Sequence, residues 1–147
     1  MKWVLIVAGA LAGLIALMAL IGAFVSRDHR ATSSISLRQP PDSVWKALQD
    51  MGSAGLDVPI IVLESSPPRR LVTQIDPKVK APFGGTWTFE LSPEPSGTRV
   101  TVTEDGWISN TIFRVLARFV FGYYGSLDKY LKALGTRFGE TVQPTHT

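Results

Sequence analysis

The sequence predicts an α+β fold: one antiparallel sheet of about five strands, covered on one face by a long, kinked C-terminal helix and preceded by one transmembrane helix. Three observations carry this. An uncharged apolar run fills residues 3–25, several short β-forming segments with turn signals between them follow, and residues 110–140 have apolar positions at helical spacing. A chain of 147 residues has room for one domain with a short appendage. With no cysteine, disulfides and thiolate metal sites are excluded. The two histidines, His29 and His146, fall in a juxtamembrane segment and a C-terminal tail, so no histidine metal site is expected and no cofactor is implied. The net charge of +3 is spread along the chain without the Lys/Arg blocks of a nucleic-acid footprint, so nucleic acid is not an expected partner.

At about 1.5 Å per residue the run 3–25 reaches roughly 34 Å, enough to cross a bilayer. A secretory signal is the rival reading, but its apolar part usually spans about 7–15 residues and ends at small residues. Here Phe24 and Val25 stand at the exit, which favours an uncleaved single-pass anchor. Gly9 and Gly13 make a GxxxG, a weak signal of helix pairing in so small-residue-rich a span. Lys2 on one side against Arg27, Arg30 and Arg38 on the other leans toward a cytoplasmic domain by a margin of one or two charges. Residues 26–30 read as a linker, and about six residues before the first strand hold the domain within roughly 20 Å of the bilayer.

The domain itself is expected over 31–140, with a flexible tail at 141–147. Residues 31–37 read as a first strand ending at Pro40-Pro41, and Asp42 or Ser43 can cap a short helix with Val44, Trp45, Leu48 and Met51 on its apolar face. Strand signals follow at 59–65, 71–76, 85–91 and 98–108, the last two joined by a turn at 92–97. Alternation puts Trp87, Phe89 and Leu91 on one face with Val100, Val102 and Glu104, and Thr86, Thr88, Glu90, Arg99, Thr101 and Thr103 on the other. The apolar face should bury against Val115, Leu116 and Phe119 of the C-terminal segment, which Gly122 and Gly125 kink or break. Arg114 and Arg118 argue against a second membrane span there.

Glu104 is the one candidate for catalysis. The alternation that buries Val102 turns it inward, and a carboxylate desolvated among aromatics has general acid or base capacity. The plain reading is a strand-end carboxylate that meets water, Arg114 or Arg118. Trp87, Trp107, Tyr123 and Tyr124 are candidates for lining a hydrophobic ligand pocket, whereas Phe89 and Phe113 read as core. Lys78, Lys80 and Phe83 in the loop 76–85 are candidates for lipid-headgroup contact or ordinary solvated positions. Arg114, Arg118 and Phe121 are candidates for membrane or partner contact, because a reduced sheet covers only one side of their helix. No glycine-rich phosphate loop, nucleophile elbow or Ser/His/Asp set is present.

The order strand, short helix, antiparallel strands, long C-terminal helix is the helix-grip order, and the segments 39–45, 68–73, 82–91 and 97–106 carry a resemblance to the START/SRPBCC superfamily, which includes polyketide cyclase/dehydrase-like domains. The resemblance covers about residues 31–140. It implies an apolar cavity between sheet and helix for a lipid or other hydrophobic molecule, and it brings no shared catalytic motif. Only residues 52–58 fill an interval where family members usually place two or more strands, so the sheet is expected to be shortened, which argues against a closed cavity. Three functions are then open. The leading one is a non-catalytic, membrane-anchored binding domain for a hydrophobic ligand or lipid at the bilayer surface. The others are an accessory subunit docked on a larger membrane complex and a small cyclase- or dehydratase-like enzyme using Glu104.

Overall fold

The computed structural model describes residues 1–52 and 58–147, so most of the short interval before the second strand lies outside the described residues. Helix α1 (Lys2–Phe24) is followed by strand β1 (Asp28–Leu37), helix α2 (Pro41–Met51) and strands β2 (Ile60–Ser66), β3 (Arg70–Ile75), β4 (Phe83–Glu94) and β5 (Gly97–Ile108). Helix α3 (Thr111–Leu116) runs into a π-helical turn at Ala117–Phe121, and helix α4 (Gly125–Arg137) and a two-residue strand β6 (Thr145–His146) complete the chain. The sheet is antiparallel, in the order β2-β3-β4-β5-β1-β6.

The sixth strand comes from the residues expected to form a flexible tail. Thr145 and His146 pair with Ser34 and Ser33 of β1. Tyr124 stacks on His146 with ring centroids 3.9 Å apart, and His146 Nε2 lies 2.9 Å from an Asp128 carboxylate oxygen. Ser33, fully buried, donates to the same carboxylate at 2.8 Å. An unpaired edge of β1 and a polar α4 residue thus give the tail somewhere to bind, which local sequence does not reveal.

Helix α2 begins at Pro41 with Pro40 as its N-cap, two or three positions ahead of the caps expected at Asp42 or Ser43. A proline at the first helical position has its φ already set and needs no donor there. Val44, Trp45 and Leu48 are buried as the period requires. The hairpin β4–β5 extends further than expected, pairing Glu94 with Gly97 and leaving only Pro95 and Ser96 in the turn.

The sheet faces follow the alternation. Trp87, Phe89, Leu91, Val100 and Val102 are buried. What covers them differs from expectation: Leu127, Tyr130, Leu131 and Leu134 of α4 complete the core, with Tyr130 packed edge-on to Trp87 at 5.7 Å between ring centroids and against Phe89 at 5.3 Å. Val115 and Leu116 are only half-buried and Phe119 is 68% exposed. A break at Gly122, whose φ of +72° suits glycine, separates the two halves of the C-terminal segment. Only the second half then lies across the sheet; the first packs beside α1. Gly22 of α1 is buried there, and a Cβ on it would overlap the Thr111 carbonyl, so the two backbones touch because residue 22 has no side chain. Among the described residues α1 is the one helix long and apolar enough to cross a membrane, a character shared by single-pass anchors and signal sequences.

Candidate functional site

A cavity of about 370 Å³ opens at the end of the sheet where β1, β4 and β5 meet the break between α3 and α4. The register explains the space. His29 of β1 and Gly85 of β4 both pair with Gly106 of β5, so two of three adjacent positions have no side chain. A Cβ on Gly106 would come within 2.6 Å of the His29 ring, and one on Gly84 within 2.6 Å of the Trp107 indole. Glycine is therefore what seats both rings. Trp87 and Ile60 form apolar wall, and Phe83 and Phe121, 44% and 69% exposed, stand at the mouth.

Of the expected pocket aromatics, Trp87, Trp107 and Tyr123 do line this cavity. Tyr124 does not: at the helix break its ring turns the opposite way from Tyr123 and packs on His146. Phe83 and Phe121, expected as membrane or partner contacts, are also lining residues. Lys78 and Lys80 are exposed in the loop between β3 and β4. Arg118 is exposed, whereas Arg114 is engaged with its own chain, donating to the carbonyls of Ile108 at 2.7 Å and Ser109 at 3.0 Å. Phe113, expected in the core, is 55% exposed on α3, the half of the segment that does not cross the sheet.

Glu104 faces the cavity with its side chain 19% exposed, and its neighbours are neither Arg114 nor Arg118. Its Oε1 lies 3.6 Å from His29 Nε2, and Oε2 accepts a long hydrogen bond from Ser126 at 3.5 Å. His29 is the residue that sequence reasoning misplaced. The strand starts at Asp28 rather than residue 31, so His29 belongs to the sheet and not to a linker, and its side chain is only 10% exposed. Tyr123 stacks on its ring, centroids 4.2 Å apart and 11° from parallel. Extending the inward set Ala31, Ser33, Ile35 and Leu37 back by one period of two finds His29, which is the signal that was available. A carboxylate beside an imidazole can bind a polar group or move a proton, and the rest of the cavity wall is largely apolar.

The early start of β1 also shortens the tether. Three residues, Val25 to Arg27, now link α1 to the sheet, a reach of about 11 Å instead of roughly 20 Å. Arg27 lies over the Trp107 indole, its guanidinium carbon 4.7 Å from the ring centroid, and its carbonyl accepts from the Ile108 N–H at 2.9 Å. The rim of the cavity is thereby fixed close to the end of α1.

An antiparallel sheet gripping a C-terminal helix, with an apolar cavity at one end, defines a helix-grip domain of the SRPBCC type. The chain belongs to the family of Activator of Hsp90 ATPase homolog 1-like proteins, whose profile matches residues 29–132, and this family in general binds hydrophobic ligands. The match begins at His29, in agreement with the observed first strand. Solved structures with the same fold include a conserved protein from Geobacillus kaustophilus, 14% identical with a TM-score of 0.61 over 80% of this chain and 100% of its own. A protein from Mesorhizobium loti is 17% identical with a TM-score of 0.52 over 74% of this chain and 98% of its own. One from Rhodobacter sphaeroides is 12% identical, with a TM-score of 0.51 over 78% and 99%. No curated protein matches the chain.

Proposed function

We propose that the protein is a single-pass, membrane-anchored binding domain that holds a hydrophobic ligand or lipid in the cavity at the end of its sheet, close to the bilayer surface and without catalysis. The observation that carries this reading is the cavity itself: about 370 Å³, walled mostly by apolar groups, with Phe83 and Phe121 exposed at its mouth and its rim three residues from an apolar helix of membrane-spanning length. The apolar surface of Phe113, Phe119, Val120 and Phe121 continues from the end of α1 and suits contact with the same leaflet, with Arg118 at the headgroup level.

The test is mass spectrometry of what accompanies the full chain when it is extracted in mild detergent. The expected result is an intact mass that keeps α1 and a hydrophobic small molecule bound near one per chain. Filling the cavity with Ala117→Trp should remove that molecule while the fold persists. A chain cleaved near Ser26 would end the anchored reading, and a ligand unaffected by Ala117→Trp would place binding elsewhere. A stoichiometric protein partner in place of a small molecule would instead favour the accessory-subunit reading. The neighbouring His29 and Glu104 support a second reading as a cyclase- or dehydratase-like enzyme; turnover of a cavity-sized substrate that falls by orders of magnitude in Glu104→Gln with binding retained would establish it.

A further inference from the structure

We infer that the cavity selects its ligand by charge: it takes a hydrophobic molecule ending in a hydroxyl and rejects the corresponding carboxylate. The inference rests on the ligand-binding reading above and adds the chemistry of the ligand's polar end.

Among the described residues that line the cavity one carboxylate is present, Glu104, and there is no Lys or Arg. The basic side chains nearby are directed elsewhere. Arg27 lies over the Trp107 ring, Arg114 donates to backbone carbonyls, and Arg30 lies 3.6 Å from Asp105. An ionised carboxylate offers about four acceptor positions. Within the described residues Glu104 receives one long bond from Ser126, at 3.5 Å, and His29 Nε2 stands at 3.6 Å, beyond a good hydrogen bond. Much of its accepting capacity is thus left for solvent or a ligand at a mostly apolar cavity.

A ligand O–H satisfies that capacity directly. A ligand carboxylate brings a second negative charge against Glu104 with no Lys or Arg among the described lining residues to offset it, an arrangement that like charges at close range disfavour. Among the described lining residues His29 is the one side chain able to carry a positive charge against that repulsion. Tyr123 stacks on one face of its ring, Gly106 leaves room for its Cε1–Nε2 edge where a Cβ would clash, and its buried Nδ1 has no hydrogen-bond partner among the described residues. The ring is consequently held with Nε2 toward Glu104, 3.6 Å from its Oε1. Thr73, Gln74 and Ser126 supply further neutral hydrogen-bonding groups on the cavity wall.

The experiment compares three probes of one ring system, naphthalene, 2-naphthol and 2-naphthoate, by titration calorimetry at neutral pH on the full chain in detergent, with empty micelles as the blank. The expected order places 2-naphthol about tenfold tighter than naphthalene and tighter still relative to 2-naphthoate, the scale of one hydrogen bond to a charged acceptor. Glu104→Gln keeps an acceptor oxygen and removes the charge, so 2-naphthol binding should persist while discrimination against 2-naphthoate falls about tenfold. Equal or tighter binding of 2-naphthoate to the native protein overturns the inference, and this arm stands even if the variant does not fold. Binding of naphthalene with no gain from the hydroxyl also overturns it while leaving the ligand cavity in place. If none of the three binds, the cavity reading falls and the inference with it.

Discussion

Replacing Leu131 with alanine tests which helix closes the core. Leu131 is fully buried on α4 against the sheet, whereas Phe119, which helical periodicity also placed in the core, is 68% exposed on the π-helical turn. Truncating Leu131 removes three carbons, each with about 0.8 kcal/mol of burial free energy, or roughly 2.4 kcal/mol before any cavity is counted. The surrounding Val100, Val102, Leu127 and Leu134 are themselves buried in the same core and have little room to collapse, so a cavity term raises the expected loss to about 3–4 kcal/mol. Phe119→Ala, though it deletes a larger side chain, should change stability by no more than about 0.5 kcal/mol, because little burial is lost. Urea unfolding of the full chain in detergent, followed by tryptophan fluorescence, measures both. A loss below about 1 kcal/mol for Leu131→Ala, or one above that for Phe119→Ala, would refute the assignment of α4 as the gripping helix.

Tyr130 gives the domain a specific alkaline weakness: burial pushes its phenol up to about 12, against about 10 in an unfolded chain. The folded state holds this proton more tightly, so the contribution is complete below pH 10 and is lost as pH rises toward 12, by about 2–3 kcal/mol in all. Tyr130→Phe should lack that part of the alkaline loss, and matching pH–stability profiles for the two proteins would refute it. Gly106→Ala should displace the His29 ring from Glu104 at a cost of about 1–3 kcal/mol, visible as altered imidazole NMR signals; an unchanged His29 spectrum would mean the ring is not seated on residue 106. Asn110→Ala removes the side-chain cap that accepts from the Phe113 N–H at 3.0 Å, and thermal unfolding should register a loss of about 1 kcal/mol.

Local patterns in the sequence were enough to determine the strands β3, β4 and β5, the inward set on β4 and β5, the apolar face of α2, the apolar helix α1 and the break near Gly122, since each follows from side-chain periodicity or from glycine and proline chemistry acting over a few residues. They also pointed to Trp87, Trp107, Tyr123 and Tyr124 as candidates for a ligand pocket and to Glu104 as a separate candidate for catalysis. The tertiary structure alone decided how those pieces share space. The segment 110–140 has apolar residues around most of its length, so periodicity cannot distinguish the half that lies on the sheet from the half that packs beside α1; the direction of the chain at Gly122 does. Tyr123 and Tyr124 are adjacent and chemically alike, and only the positions of His29 and His146 send one to the cavity and the other to the tail. His29 itself looked like linker because it follows Arg27 and Asp28 directly after the apolar run. Cross-strand pairing with Gly106 makes it part of the sheet, and pairing between residues so far apart in sequence is set by the register of whole strands, which no single segment encodes.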